Sequence, residues 1–263
     1  NSFTTAIVKS DYMVIPHEPI DRVVNEYVEN TANKLRLMTV KDSKHQINRY
    51  WLLIDDKHQF KIRHSFVGND DISFGVVIRN SIGGRLAFGA DLFSFRSICA
   101  NTAVVGFQDL GSFSMRHFGT NFEKMTNFLF SGLKDQLDRA VEIVNYYEKF
   151  AVTKFGNNKP LLEKLAEHIS LKYFPEDVII KLSNKSKGQE RQFTIKKELQ
   201  EKSLWFLFNE FTSNLTHNEN LAFDMVRYQT KKLHDILIEE VAPKQHLKQV
   251  KPVDRDRTRW TGR

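Results

Sequence analysis

The spacing of hydrophobic positions changes along the chain, and each spacing predicts a different kind of element. Residues 1–19 form an extended lead-in that contains Pro16 and Pro19. From residue 21 to residue 38, apolar side chains recur every three or four positions, which is the spacing of an amphipathic helix. The pattern therefore predicts a short helix over residues 21–38, after a proline-containing extended segment.

The middle of the chain alternates apolar and polar residues, which is the two-residue period of a strand. Residues 72–78 are the clearest run, and residues 86–90 begin a return strand after a turn with two glycines. A third run follows, with Phe93, Phe95, Ser97 and Cys99 on one face. Because residues 50–54 and 60–67 are plausible companion strands, we expect an antiparallel sheet over residues 48–118.

The second half of the chain is mainly helical. The strongest signal is a long helix over residues 120–151, which opens with Thr120 and Glu123 in the spacing of a capping box. Further helices are predicted, at residues 160–174, 194–215 and 221–241. Between them, residues 183–192 have the composition of a polar loop.

These patterns predict an α+β fold in which an antiparallel sheet packs against a long central helix. A helical C-terminal part and a basic tail follow. We expect three units, namely residues 1–182 as the core, 193–242 as C-terminal helices that pack on it and 243–263 as a flexible tail.

Composition narrows the class of protein. The 263 residues are 41% hydrophobic and 27% charged, which is ordinary for a folded soluble chain. Cys99 is the single cysteine, so no internal disulfide is possible, which points to a reducing compartment or to one whose redox state is indifferent. Because no signal sequence or membrane-length apolar run is visible, we expect a cytoplasmic protein without a membrane partner.

The positive charge is concentrated in two segments. Residues 243–263 hold seven Lys/Arg against two Asp, a net of +5 out of the total of +7. Residues 34–64 hold eight Lys/Arg against three Asp, again +5, so the remainder of the body is slightly acidic. This polarity suits a polyanion partner, and a solvated face with a disordered tail is the alternative.

Few side chains have the spacing of a catalytic site. The glycines form neither a GxGxxG nor a Walker A motif, so no nucleotide cofactor is predicted. No metal motif is present either. Four acids, predicted to lie in turns, are the candidates for a metal-dependent nuclease: Asp55, Asp56, Asp70 and Asp71. Cys99 is expected to be a small buried hydrophobe and not a reactive thiol.

One helix carries a polar stripe among aromatic residues. Asn209, Thr212 and Thr216 recur at helical spacing and are followed by His217. Such a stripe is either a satisfied internal hydrogen-bond network or a ligand surface, and the network is the preferred interpretation.

Binding of nucleic acid requires a cationic surface and aromatic rings on which bases can stack. In the body, six cations lie on or beside the predicted strands: Lys57, Lys61, Arg63, Arg79, Arg85 and Arg96. The tail adds Lys244, Lys248, Lys251, Arg255, Arg257 and Arg259. The abundant Phe residues could provide stacking rings, although phenylalanine in a sheet is more often core.

Two parts of the chain have a distinctive sequence: RSICANTAVVGF with the following MRHFGTNFEKM, and SLWFLFNEFTSNLTH. They resemble a widespread family of unknown function encoded in phages, plasmids and other mobile elements. Members show an Arg-x-x-Cys-x-Asn-Thr element, a His before a long helix, and a Trp-x-x-x-Asn-x-x-Thr-x-x-x-x-His helix. These correspond to Arg96, Cys99, Asn101, Thr102, His117, Trp205, Asn209, Thr212 and His217. The order of strands and long helix is also similar, in topology only, to single-strand annealing proteins.

The resemblance implies a role in the DNA metabolism of a mobile element. Our hypothesis is a single-stranded DNA-binding protein, without a cofactor, that supports strand annealing, recombination or replication and forms a homo-oligomer. Two alternatives stay open, namely a structural or interaction protein of a virus or mobile element, and a metal-dependent nuclease. The sequence assigns no enzymatic activity.

Overall fold

The computed structural model describes residues 10, 12–30, 35–42, 48–64, 68–83, 86–96, 101–104, 112–115, 117, 127, 140–185, 188–218 and 220–242. The elements in this part of the chain are α1 (His17–Asn30), β1 (Leu35–Asp42), β2 (Asn48–His64), β3 (Gly68–Ser81), β4 (Phe88–Arg96), β5 (Asn101–Val104), β6 (Ser112–Met115), α2 (Ala140–Val152), α3 (Lys159–His168), a 3-10 turn (Leu171–Tyr173), β7 (Val178–Lys185), β8 (Gly188–Ile195), α4 (Lys197–Gln200), α5 (Leu204–Thr216) and α6 (Phe223–Val241).

The larger sheet is antiparallel and contains six strands in the order β1-β2-β3-β4-β5. Strands β5 and β6 lie along the same side of β4. The first four residues of β4 pair with β6, and its last four pair with β5. The predicted α+β class and the predicted antiparallel sheet are both confirmed.

The two faces of the sheet are covered differently. Alternation along β3 places Ile72, Phe74, Val76 and Ile78 on the face that meets the helices, here called the main face, as the sequence predicted. Val77 points to the opposite, second face. There it packs with Tyr50, Leu52 and Phe93 in a smaller cluster.

Gly75 lies at the centre of the second face. A Cβ atom at this position would overlap the carbonyl oxygen of Leu53 and lie 2.7 Å from the ring of Phe93. The ring of Phe93 therefore packs directly on the backbone of β3, which only a glycine permits.

The main face packs against α2, α5 and the C-terminal half of α6 around Tyr147. This residue is fully buried, and its ring lies 5.0 Å from that of Trp205 and 5.5 Å from that of Phe208. Its hydroxyl donates a 2.9 Å hydrogen bond to Ser94 on β4, so the ring is anchored at both ends. The predicted long helix is confirmed over Ala140–Val152, and residues 120–139, where it was predicted to begin, lie outside the described ranges apart from Asn127.

The first predicted helix is wrong at its C-terminal end. Helix α1 ends at Asn30, and Leu35 begins strand β1. Leu35 is buried and Leu37 packs against the same core, so these residues follow the two-residue period of a strand. The spacing of Ala32 and Leu35 happened to continue the helical pattern.

Residues 183–192 were predicted to be a polar loop, and this prediction is also wrong. They belong to the hairpin of β7 and β8, whose register runs from the pair Val178 and Ile195 to the pair Lys185 and Gly188. A polar strand has no apolar alternation, and its sequence therefore reads as a loop. The helix predicted to begin at residue 194 also begins later. Thr194 and Ile195 are the last residues of β8, and the helix begins at Leu204, with Ser203 as its N-cap.

His234, on α6, is buried among aromatic rings on the main face. Its imidazole lies 5.5 Å from the ring of Tyr147 and 6.2 Å from that of Phe208. Burial, together with the charge of Lys231, lowers the pKa of His234 to about 3. The folded protein therefore holds this side chain neutral.

The stability of the fold should depend on pH through His234. The pKa of histidine in the unfolded chain is about 6.5. The stabilisation of the fold by the neutral ring is therefore complete above that pH and is lost as the pH falls towards 3. In His234→Phe the ring is retained and the titration removed. We expect the difference in unfolding free energy between wild type and this variant to change by about 1.4 kcal/mol per pH unit between pH 6 and 4, measured by urea unfolding.

The matched control is His217→Phe, which changes an exposed histidine in the same way. A difference between wild type and His234→Phe that is constant over this pH range would contradict a buried neutral imidazole.

Candidate functional site

The first cluster of buried polar side chains is centred on Asp70 of β3. This carboxylate is 2% exposed. Its Oδ1 accepts a 2.7 Å bond from Arg96 Nη2, and its Oδ2 accepts a 2.8 Å bond from Trp205 Nε1. We call these three residues the Asp70 cluster. It ties the end of β4 and the start of α5 to one strand of the sheet.

Local sequence explains why Trp205 reaches Asp70. The Ser203 hydroxyl accepts a 3.3 Å bond from the amide of Phe206 and so begins α5 immediately before Trp205. Across the sheet, Arg96 pairs with Ile72, and alternation puts its side chain on the same face as that of Asp70. The two segments that carried the family resemblance are thus brought together.

Glu210 adds a second acid beside Arg96. It is partly buried on α5, and its pKa is raised by burial and by the charge of Asp177, while Arg96 acts in the opposite direction. Arg96 therefore bonds Asp70 and also favours the charged form of Glu210.

The second cluster lies on the second face and is centred on Asp91 of β4. Its Oδ2 accepts bonds from Arg79 Nη1 at 2.8 Å and from Arg227 Nη1 at 3.0 Å. The side chain of Asp91 is 0% exposed and that of Arg79 is 7% exposed. Burial lowers the pKa of Arg79, and the Asp91 carboxylate raises it. We call these three residues the Asp91 cluster, which fixes the first turns of α6 over the second face.

A third group of polar residues holds the segment before α1, residues 12–16. The amide of Met13 donates to the carbonyl of His117 at 2.7 Å, and His117 Nδ1 lies 3.1 Å from the carbonyl oxygen of Met13. The ring of His117 stacks on that of Tyr12. Burial lowers the pKa of His117. Asn80 Nδ2 donates to the carbonyl of Ile15 at 2.9 Å. His117 thus holds the N-terminal segment against the sheet.

The polar stripe on α5 bonds main-chain carbonyls of its own helix. Asn209 donates to the carbonyl of Trp205, Thr212 to that of Asn209 and Thr216 to that of Thr212. Asn209 and Thr212 are buried, whereas His217 is exposed where α5 ends. These bonds are those of an internal network. In β5, Asn101 and Thr102 pair with Arg96 and Phe95.

The six cations of the body predicted to contact phosphate are not equivalent. Lys61 and Arg63 are exposed on β2. Arg79 and Arg96 were predicted to be available, but each is bonded to a buried aspartate, because an arginine on a packed strand must be neutralised. Lys57 lies where β2 shifts its register against β3. Arg85, Cys99 and residues 244–259 lie outside the described residues.

The four acids considered for a nuclease lie in two strands of the sheet. Asp55 and Asp56 lie within β2 and Asp70 and Asp71 within β3, so the predicted turns are absent at these positions. Consecutive strand residues face opposite ways, which puts the exposed Asp71 on the other side of the sheet from Asp70. Within the described ranges, no three His, Cys, Asp or Glu side chains are arranged to hold a metal ion.

Sequence reasoning missed Asp91, Arg227 and Glu210. For Asp91 a signal was present, because FGADLF places an acid at a position that alternation assigns to a packed face. Such an acid requires a cationic partner, and Arg79 on the preceding strand was the nearest choice. Arg227 has no comparable local signal, since it lies 136 residues away along the chain.

The architecture and the site together define an α+β protein in which the buried carboxylates of Asp70 and Asp91 are each paired with arginine. None of the helices in the described ranges is long and apolar enough to span a membrane. The chain belongs to the family described as a domain of unknown function, DUF932, which matches residues 5–260. No curated protein and no solved structure matches it. The expectation of a family of unknown function is thereby confirmed.

Removal of the Asp70 carboxylate should strongly destabilise the fold. Asp70→Ala leaves the guanidinium of Arg96 and the indole N–H of Trp205 without their acceptor, and we expect a loss of about 3 kcal/mol in the free energy of unfolding. The measurement is urea unfolding at pH 7.

Asp71→Ala is the matched control, because it removes the same group from the adjacent, exposed residue. Its expected cost is below about 1 kcal/mol. Equal losses in the two variants would contradict a structural role for the Asp70 cluster.

Proposed function

We propose that this chain is a single-stranded DNA-binding protein that supports strand annealing, recombination or replication of a phage or other mobile element. The proposal includes assembly as a homo-oligomer in the host cytoplasm. DNA is held through its phosphate backbone, because the available groups are exposed cations and not a pocket that reads bases.

The observation that carries the proposal is the location of the basic segment, residues 34–64. Its described parts, residues 35–42 and 48–64, are strands β1 and β2, and β1 lies at the edge of the sheet. Within it, Lys61 and Arg63 are two residues apart on one strand, so both project from the second face, and both are exposed. The ion pair of Arg49 with Asp21 removes one cation of the segment from consideration.

The same face offers an aromatic ring. Phe95 of β4 is partly buried, and it lies in the row formed by Gln59, Ser73 and Phe95, next to the row of Lys61 and Asp71. A ring on the same face as two cations is a combination with which proteins bind single strands. The predicted basic tail would add affinity without sequence preference.

Asp71 sits opposite Lys61 in the register and opposes the binding of a polyanion there. Its position gives the proposal a test with opposite signs. Neutralising the two cations should weaken binding, and neutralising this acid should strengthen it.

The experiment is fluorescence anisotropy of a labelled single-stranded oligonucleotide at several salt concentrations. Lys61→Ala/Arg63→Ala should reduce the slope of log affinity against log salt by about 1.4, since each phosphate contact on a single strand contributes about 0.7. Asp71→Asn should bind more tightly than wild type at low salt. The control is Lys159→Ala/Lys197→Ala, which removes two exposed lysines of the helical part and should bind like wild type.

A chain ending at Val241 separates the body from the tail. Binding that persists in this truncated chain, and weakens with Lys61→Ala/Arg63→Ala, supports the proposal. If the truncated chain does not bind single strands, the body is not a DNA-binding fold, and the interaction-protein alternative takes its place.

A further inference from the structure

In the described part of the hairpin of β7 and β8, residues 178–195, the side chains buried against the core lie at its base. Val178, Phe193 and Ile195 are buried, and the ring of Phe193 lies 6.0 Å from that of Phe174. At the base, Lys196 Nζ bonds Asp177 at 2.8 Å. These contacts fix the direction in which the hairpin leaves the body.

Burial ends one pair further along the hairpin. Leu182 lies on the same face as Ile180 by strand alternation, yet its side chain is 55% exposed. Its register partner Arg191 is only partly buried. Beyond this pair, the strands continue to Lys185 and Gly188. At about 3.3 Å per residue, the part beyond Ile180 extends roughly 16 Å.

The outer part of the hairpin is basic and carries no aromatic residue. Residues 181–191 include Lys181, Lys185, Lys187 and Arg191 against Glu190, a net of +3. The other polar residues of this segment are amides and hydroxyls, namely Ser183, Asn184, Ser186 and Gln189. A surface that binds single strands needs rings for stacking, and this segment has none between Leu182 and Gln192.

A two-stranded ribbon of this kind fits duplex nucleic acid. The major groove admits a two-stranded β-ribbon and is about 8.5 Å deep, so an arm of roughly 16 Å reaches its floor. Lysine and arginine can pair with the phosphates on either side, and amide side chains can bond base edges. We propose that the β7–β8 hairpin is an arm that enters a groove of duplex DNA, which rests on the proposed function and extends it from the single strand to the annealed product.

Two variants test the arm in the full-length protein. In the first, Lys185→Gln/Lys187→Gln/Arg191→Gln neutralises the outer cations. In the second, an Asn-Gly turn replaces residues 183–190, because the register partners Leu182 and Arg191 can be joined by a two-residue turn that leaves the base of the hairpin intact. The control for charge is Lys159→Gln/Lys164→Gln/Lys197→Gln, three exposed lysines outside the hairpin.

The measurement is anisotropy of a labelled 20-base-pair duplex and, in parallel, of the corresponding single strand, each at several salt concentrations. The triple variant should reduce the salt slope for the duplex by about 2.7, since each contact on duplex DNA contributes about 0.9. The shortened hairpin should lose at least as much. Binding of the single strand should stay within about twofold of wild type, and the control should match wild type on both probes.

Duplex binding that is unchanged in both variants overturns the proposal, as does a wild-type protein that binds the single strand but not the duplex. In either case the proposed single-strand function stands. A wild-type protein that binds neither probe overturns both. Equal thermal unfolding midpoints for wild type and the triple variant establish that a lost duplex slope comes from the arm.

Discussion

The buried carboxylate of Asp70 is the polar link between the sheet and α5. It is buried on the main face, and its two oxygens accept one bond from Arg96 on a neighbouring strand and one from Trp205 on α5. A buried ion is tolerated only when both its charge and its hydrogen bonds are satisfied. Together with the aromatic packing around Tyr147, this side chain therefore fixes α5 on the sheet.

The same requirement sorts the cations of the body into two groups. Arg79, Arg96 and Arg227 neutralise buried aspartates within the fold. Other cations of the body are exposed, among them Lys61 and Arg63 on the second face of β2 and Lys159, Lys164 and Lys197 in the helical part. Arginines paired with buried aspartates hold the fold together, and the proposed DNA contact depends on other, exposed cations such as Lys61 and Arg63.

The sequence predicted the elements in which apolar alternation is strong and missed those that polar residues build. The period of residues 72–78 assigned β3 and its two faces correctly, because one side of each strand is buried. The polar strands β7 and β8 have no such pattern and were read as a loop. Long-range ion pairs were invisible for a different reason: Arg96 looks identical whether it faces solvent or Asp70, and only the register of β3 and β4 distinguishes the two.

The coupling between Asp70 and Trp205 tests the central claim most directly. The free energy of unfolding is measured for Trp205→Phe in the wild-type background and in the Asp70→Ala background. If the indole N–H is bonded to the carboxylate, the cost of Trp205→Phe falls by at least about 1 kcal/mol when Asp70 is absent. Equal costs in the two backgrounds would show that the sheet and α5 are held together without this contact.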